Sequence, residues 1–506
     1  MGGVGQKKMK PLTVVFPYRR DPFWERSLLA LIGCDLVEKV FVICPERLPF
    51  KPFRGVLVIE GLVTQQETLC RILTETHTPW LLVVLQGAAV SVDPSPLQMA
   101  LRLAESENVA LLYSDFYEES EEGLRLHPLN DYQFGSVRDD FDFGEVVLMS
   151  TSGARRALAR YGPIPTVRFA GLYDLRLKLS IDHRIIHLRE PLYRKLRCKS
   201  SPFRGLSDEE RFAYVDPRNE VAQKEMEAVF TEYLRKIGAY LPPEALKDPE
   251  PTLEPFPVEA SVVIPVRNRK ETIRDSLESA LSQRTDFPFN VIVVDNHSTD
   301  GTTDLVSDLA RHDRRLIHLV PQRRDLGIGG CWNEALRLAS CGRFAVQLDS
   351  DDLYRTEETL QVLVDKLRES KAPMVVGSYT VVDFDLNVVP PGLIDHREWT
   401  PENGHNNLLR VNGVGAPRGF RTDVMRRIGF LNVSYGEDYA AALRISREFR
   451  IERIYESLYL CRRWPGNTDQ SLTIEKSNQN DAFKDRIRGE EIQARQEIGR
   501  AMGVRS

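Results

Sequence analysis

Phe344-Ala-Val-Gln-Leu-Asp349-Ser350-Asp351-Asp352-Leu353 is the stretch that decides how this chain is read. An apolar run of strand character enters three carboxylates spaced D-x-D-D. Acids this close repel one another unless a cation sits among them. A set of oxygen donors suits a hard divalent ion, Mg²⁺ or Mn²⁺, which keeps coordination positions for phosphate oxygens. The competing reading is an acidic turn with aspartate as the N-cap of the next helix. The surrounding chain separates the two.

Upstream, Ala260–Pro265 reads as a strand ending in proline, and Arg274–Gln283 as a helix. Asn290–Asp295 is a strand ending in aspartate, followed by Asn296-His-Ser-Thr-Asp300-Gly. A helix over Thr303–Arg311, a strand over Leu316–Val320 and a helix opened by Leu326-Gly-Ile-Gly-Gly-Cys-Trp-Asn333 come next. Strands alternating with helices predict a mostly parallel sheet, whose ligands bind beyond the carboxyl ends of the strands. Asp295 and Asp349 both stand at such ends. Gly327, Gly329 and Gly330 would admit close backbone approach by a phosphate or ribose. Downstream, Glu437-Asp438 opens a helix after Tyr435-Gly436. An acid there is favoured by the helix dipole, or, near a metal, is a general base. A last strand, Leu458–Trp464, carries Arg462, which is either a diphosphate partner or a surface ion pair.

The first half has the same rhythm. Leu12–Pro17, Val40–Cys44, Trp80–Leu85 and Ala110–Ser114 read as strands, and residues 21–32, 67–76, 96–105, 145–161 and 170–180 as helices. Asp139, Asp140 and Asp142 read as a solvated loop, because no strand leads into them. His77, His183 and His187 are isolated and read as hydrogen-bonding residues rather than ligands. Residues 201–258 form a connector: a helix from Asp216 to Gly238, then a run holding Pro242, Pro243, Pro249, Pro251, Pro255 and Pro257 that reads as a semi-rigid linker. The expected domains are therefore 10–200, the connector, 259–470, and a charged helix within 471–506. That helix is read as lying on the surface or against a second copy of the chain.

Composition sets the outer limits. The 506 residues are 42% apolar and 28% charged, with a net charge of -5, as expected for globular α/β domains. There is no basic excess to suggest nucleic acid. Seven scattered cysteines without a C-x-x-C pair suggest neither zinc nor a disulfide framework and fit a reducing compartment. No apolar run has the length of a membrane span. A cytoplasmic protein, with at most peripheral contact at the inner face of a membrane, is the expectation.

Taken in order, Val-Ile-Pro265-Val-Arg267-Asn, Val-Val-Asp295-Asn296-His-Ser-Thr-Asp300-Gly-Thr, Leu-Gly-Ile-Gly-Gly-Cys-Trp-Asn333, Leu-Asp349-Ser-Asp351-Asp352 and Gly-Glu437-Asp438-Tyr resemble the family-2 glycosyltransferases of the GT-A fold over about residues 259–470. The resemblance implies a nucleotide-sugar donor, with Pro265, Arg267, Asp295, Asn296, Asn333, Asp349, Asp351 and Arg462 on the donor side. It implies Mn²⁺ or Mg²⁺ held by Asp351 with Asp349 close by. It also implies Asp438, with Glu437, as the base that deprotonates an acceptor hydroxyl of a glycan, lipid-linked sugar or small molecule, in a single inverting displacement. The sequence departs from the family at two places. Asn296 stands where a second aspartate is frequent, and Trp464 stands near the slot of a family histidine, where it is read as an acceptor-stacking or packing residue.

The halves also resemble one another. Val14-Val-Phe-Pro17-Tyr-Arg19 parallels Val262-Val-Ile-Pro265-Val-Arg267. Gln86-Gly-Ala-Ala89 falls opposite Asp349-Ser-Asp-Asp352, and Gly171-Leu172 opposite Glu437-Asp438. A tandem of two GT-A-like domains, the first lacking D-x-D and base, is expected. Two other readings compete with it. A sugar-nucleotide nucleotidyltransferase would want a glycine-rich loop after its first strand, which Arg267-Asn-Arg-Lys270 is not. A non-catalytic carbohydrate-binding scaffold suits the first half better than the acidic second half.

Overall fold

The structure is a computed structural model that describes residues 10–45, 55–85, 88–106, 109–120, 123–196, 217–467 and 472–501. Asp216, Gln86 and Gly87 lie outside the described residues. The first half contains β1 (Leu12–Pro17), β2 (Val37–Cys44), β3 (Val56–Glu60), β4 (Trp80–Val84), β5 (Val90–Val92), β6 (Val109–Ser114), β7 (Phe116–Ser120), β8 (Gly123–His127), β9 (Val146–Ser150), β10 (Arg184–Leu188) and β11 (Tyr193–Leu196). The second contains β12 (Ala260–Val266), β13 (Phe289–Asp295), β14 (Leu316–Leu319), β15 (Phe344–Gln347), β16 (Leu353–Tyr354), β17 (Met374–Val382), β18 (Val388–Ile394), β19 (Arg418–Arg421) and β20 (Ile451–Arg462).

Seven strands make the first main sheet, in the order β3-β2-β1-β4-β9-β6-β10, and the second runs β14-β13-β12-β15-β19-β17-β20 before its edge additions. Position by position the two orders match. The senses match as well: β9 and β19 are each antiparallel to both neighbours, while the outer pairs are parallel. Helices cover both faces, so β4 and β13 are buried at every position, as near-continuous apolar runs require.

Two readings change. Residues 146–150 are not the start of a helix but the central antiparallel strand β9, wholly buried, and the helix begins at Thr151. Residues 418–421, within a stretch 414–427 that reads from sequence as a loop and a helix, form β19 in the same position of the second sheet. Both stretches are short and precede a helix without a turn, so the period of their apolar residues alone does not separate strand from helix.

The connector helix is Glu220–Lys236. The proline-rich run after it lies against the second half. Leu241 N–H donates to Asn406 Oδ1 at 3.2 Å, Lys247 N–H to Glu448 O at 2.8 Å, and Arg421 reaches the Glu250 carbonyl at 2.7 Å. The C-terminal helix, Ile474–Ala501, is not a surface strut. Its Asp485, Arg488 and Arg495 are fully buried, because it is packed against both halves.

Candidate active site

β15 ends at Gln347, and the chain turns through Asp349, Ser350, Asp351 and Asp352 into β16. Gln347 donates to both oxygens of Asp349 at 2.9 and 3.0 Å, and Asp349 N–H donates to the Tyr459 hydroxyl at 3.0 Å. Asp352 is buried and accepts the Arg462 backbone N–H at 2.8 Å. Asp351 is more open. Its Oδ2 accepts from the Trp464 indole at 3.2 Å and from Asn467 at 3.3 Å, with Arg269 at 3.9 Å. Burial, then the charges of Asp351 and Asp349, push Asp352 well above the ordinary carboxylate range. Burial also raises Asp349, despite the pull of Arg418.

Three crowded oxygen-donor groups under this charge pressure fit a divalent cation. Among the described residues no group of three or more His, Cys, Asp and Glu is placed to hold a metal ion. Arg462 is clamped beside them. Its Nε donates to the Asp351 carbonyl and its Nη1 to Asp275 at 2.8 Å, and its guanidinium lies 4.9 Å from the Phe384 ring. Its Nη2 is buried without a hydrogen-bond partner.

Asp438 lies in the first turn of the helix Glu437–Ser446, whose N-cap Gly436 has φ 77, a conformation glycine adopts without strain. Arg418, the first residue of β19, donates from Nη1 to Asp438 Oδ2 at 2.6 Å. Its backbone N–H donates to Gln347 Oε1 at 3.3 Å. Because β19 pairs with β15, Arg418 joins the acidic turn to Asp438. Burial works against ionisation of Asp438, but Arg418 and then Lys484 hold its carboxyl below the usual range. Glu437 beside it goes the other way: burial and the Asp438 charge push it up to about 8. One helix turn thus presents an ionised acid and a largely protonated one.

The family comparison gives this geometry its context. The model of Glycosyl transferase family 2 matches residues 261–429. An Escherichia coli UDP-Glc:alpha-D-GlcNAc-diphosphoundecaprenol beta-1,3-glucosyltransferase, WfaP, is 30% identical over 189 residues, which are 37% of this chain and 69% of that protein. The chain belongs to glycosyl transferase family 2. A Bacillus subtilis protein that bears the name of a teichuronic acid biosynthesis glycosyltransferase, TuaG, is 36% identical over 25% of this chain and 48% of its own length. The crystal structure of S. aureus TarS 1-349 in complex with UDP-GlcNAc aligns with TM-score 0.36 and 25% identity, over 42% of this chain and 61% of that one.

Within this family-2 glycosyltransferase, other sequence candidates fall in different places. Asp295 is fully buried. Its oxygens accept from Ser298 N–H at 2.9 Å, Thr303 at 2.5 Å and His318 at 3.4 Å. Against the effect of burial, these bonds hold it well below the carboxylate range, so it anchors the loop after β13. Asn296 donates to Leu326 O at 2.8 Å and keeps a buried Oδ1 without a partner. Pro265 is half-buried within β12, and Arg267 is exposed just beyond it. Asn333 spends both ends of its amide on Phe430, at 2.9 Å each way, and so fixes a helix rather than meeting the cleft. The glycines of 327–330 do approach another backbone closely, but it is that of residues 431–433. Gly329 N–H donates to Val433 O at 3.0 Å, and a Cβ on Gly329 would fall on the Leu431 carbonyl. Trp464, expected towards the acceptor, stands at the Asp351 end with its ring 6.1 Å from Phe384.

Sequence reasoning missed Arg418, His318, Asn467 and Lys484. An arginine opening an unrecognised strand and a lysine in a charged helix carry no local signal. His318, inside the strand Leu316–Leu319, was the one with a signal: a polar residue in an apolar run beside Asp295.

Proposed function

We propose that residues 259–470 transfer a sugar from a nucleoside-diphosphate sugar to an acceptor hydroxyl with inversion at the anomeric carbon, and that residues 10–200 are a related domain without the chemistry. The observation that carries this is the continuous link from Asp349 through Gln347 and Arg418 to Asp438. It ties the acidic turn to the carboxylate of Asp438.

Asp351, with Asp349, would hold Mn²⁺ or Mg²⁺, which when bound neutralises charge on the departing diphosphate. Arg462 offers its unspent Nη2 to the same phosphates. Asn296 Oδ1 is an acceptor awaiting a donor from the base or ribose. Asp438 takes the proton of the acceptor hydroxyl as its oxygen bonds to the anomeric carbon, and the bond from that carbon to the diphosphate oxygen breaks with its electron pair. Arg418 keeps Asp438 ionised for this step.

The acceptor class we favour is a lipid-linked sugar, in polysaccharide or glycoconjugate synthesis at the cytoplasmic face of a membrane. The WfaP relative is named for a diphosphoundecaprenol acceptor. In this chain, a turn locked by Asp383, which accepts from Asn387 N–H at 2.8 Å and Nδ2 at 3.0 Å, holds out Phe384, Leu386 and Val388. With Leu393 they are 45–66% exposed, and Phe384 joins this apolar rim to Arg462 and Trp464. Among the described residues no helix is long and apolar enough to cross a membrane.

Calorimetry with UDP, GDP, CDP and dTDP, each with and without Mn²⁺, tests the donor site. Metal-dependent binding of one nucleotide, lost in Asp351→Ala, is expected. A folded protein that binds none of them would overturn the reading.

A further inference from the structure

The C-terminal helix lies beyond the family match, and its consecutive residues Lys484 and Asp485 meet different parts of the chain. Asp485 faces the first half. Its carboxylate accepts from Ser136 Oγ at 2.8 Å and Arg138 Nε at 3.2 Å. On the same side Gln133 donates to Ala482 O at 3.1 Å and Asn478 to Pro128 O at 2.7 Å. Gly135 packs on the helix so tightly that a Cβ would land on the Asp485 carbonyl oxygen.

Lys484 faces the site. It is 8% exposed, donates to Asn412 O at 2.7 Å, and its ammonium lies 4.6 Å from the Tyr435 ring and 5.5 Å from that of Tyr439. Its stem and the Phe483 ring flank Gly436, where an added Cβ would meet them at 3.6 and 3.4 Å. Arg488 completes the contact, donating to the Tyr439 hydroxyl at 3.1 Å and to Asn412 Oδ1 at 3.1 Å. The turn carrying Tyr435, Gly436, Glu437 and Asp438 is thus braced by a helix that the first half holds in place.

We propose that the first half serves the active site through this helix: Ser136 and Arg138 fix Asp485, and the adjoining Lys484 is a positioning residue that holds Asp438 for proton removal. The proposal rests on the reading of Asp438 as the base. The charged groups around Asp438 are Arg418 on β19, Lys484 on the C-terminal helix, Asp349 after β15 and Glu437 beside it; Asp481 in turn faces Lys484. Lys484 is the one cation of this set that an element outside the family match supplies. Its ammonium supports ionisation of Asp438 while its stem sets the helix start.

The test uses the full chain with Lys484→Met, Lys484→Arg and Arg138→Met. The carboxyl of Asp438 is titrated by ¹³C NMR, assigned by difference against Asp438→Asn, and UDP release from UDP-glucose to water is followed in parallel. Expected results are a titration of Asp438 moved to higher pH in Lys484→Met and in Arg138→Met, and turnover lowered about ten-fold with little change in KM. Lys484→Arg restores both, and the thermal midpoints confirm folded variants. An Asp438 titration unmoved by Lys484→Met would overturn the proposal, whether or not UDP-glucose is turned over. Absence of turnover in the wild type would count instead against UDP-glucose as the donor, and the titration would still decide the role of Lys484.

Discussion

Arg418 Nη1 and Asp438 Oδ2 are 2.6 Å apart, although one opens a strand and the other a helix twenty residues later. The pair sets the charge state of the candidate base. Asp438→Asn should lower sugar transfer by about 10²–10⁴-fold, the usual worth of a positioned general base, and leave nucleotide binding within about two-fold. Arg418→Met leaves Asp438 and Asp349 without their common cation. The pair is partly exposed, 15% at Arg418 and 27% at Asp438, so losing one partner should lower stability by about 1–3 kcal/mol, read by denaturant unfolding.

Trp464 reports on the cation site. Its indole N–H donates to Asp351 Oδ2, and an N–H donor cannot ligate a metal in the manner of a histidine. Trp464→Phe keeps a ring beside Phe384 and removes only the donor. Mn²⁺-dependent binding of the nucleotide that calorimetry selects should survive with an altered metal dependence, whereas Asp351→Ala should abolish it. Equal loss in both variants would show that the indole hydrogen bond, not the ring, is what the cation site needs.

Glu437 gives a pH signature. Its folded value, pushed to about 8 by burial and by Asp438, exceeds its unfolded value of 4.5. The folded state therefore binds a proton more tightly than the unfolded chain. The resulting stability is fully present below about pH 4.5 and is lost as pH rises towards 8, at up to roughly 1.4 kcal/mol per pH unit. Glu437→Gln should flatten that decline in thermal melts recorded without divalent metal. An unchanged slope would count against a buried, protonated Glu437.

Gly135 is the closest approach between the first half and the C-terminal helix. Gly135→Ala should cost about 1–3 kcal/mol, because the obstacle is backbone and cannot rotate away. The loss should appear in calorimetric unfolding as earlier release of one half from the other, while Gly33→Ala, with open space around its Cβ position, should change little.

The sequence by itself determined the α/β class, the acidic strand end at 349–352, the helix-opening pair 437–438 and the family. These signals are local: apolar runs of strand length, turn residues, and motifs of fixed spacing read along one segment. It also showed the likeness of Val14–Arg19 to Val262–Arg267, and the two main sheets have the same strand order. Only the tertiary structure decided that β9 and β19 enter the sheets antiparallel, since nothing in Val146–Ser150 or Arg418–Arg421 records the direction of the neighbouring strands. Likewise it decided that Asp295 anchors a loop, that the glycines of 327–330 meet residues 431–433, and that Trp464 sits with Asp351. The same holds for the helix 474–501, whose charges look solvent-facing in sequence. Asp485 and Arg488 are buried because their partners, Arg138, Ser136, Tyr439 and Asn412, come from segments far away in the chain. A charge shows its type locally, but its partner is known only when the chain has closed on itself.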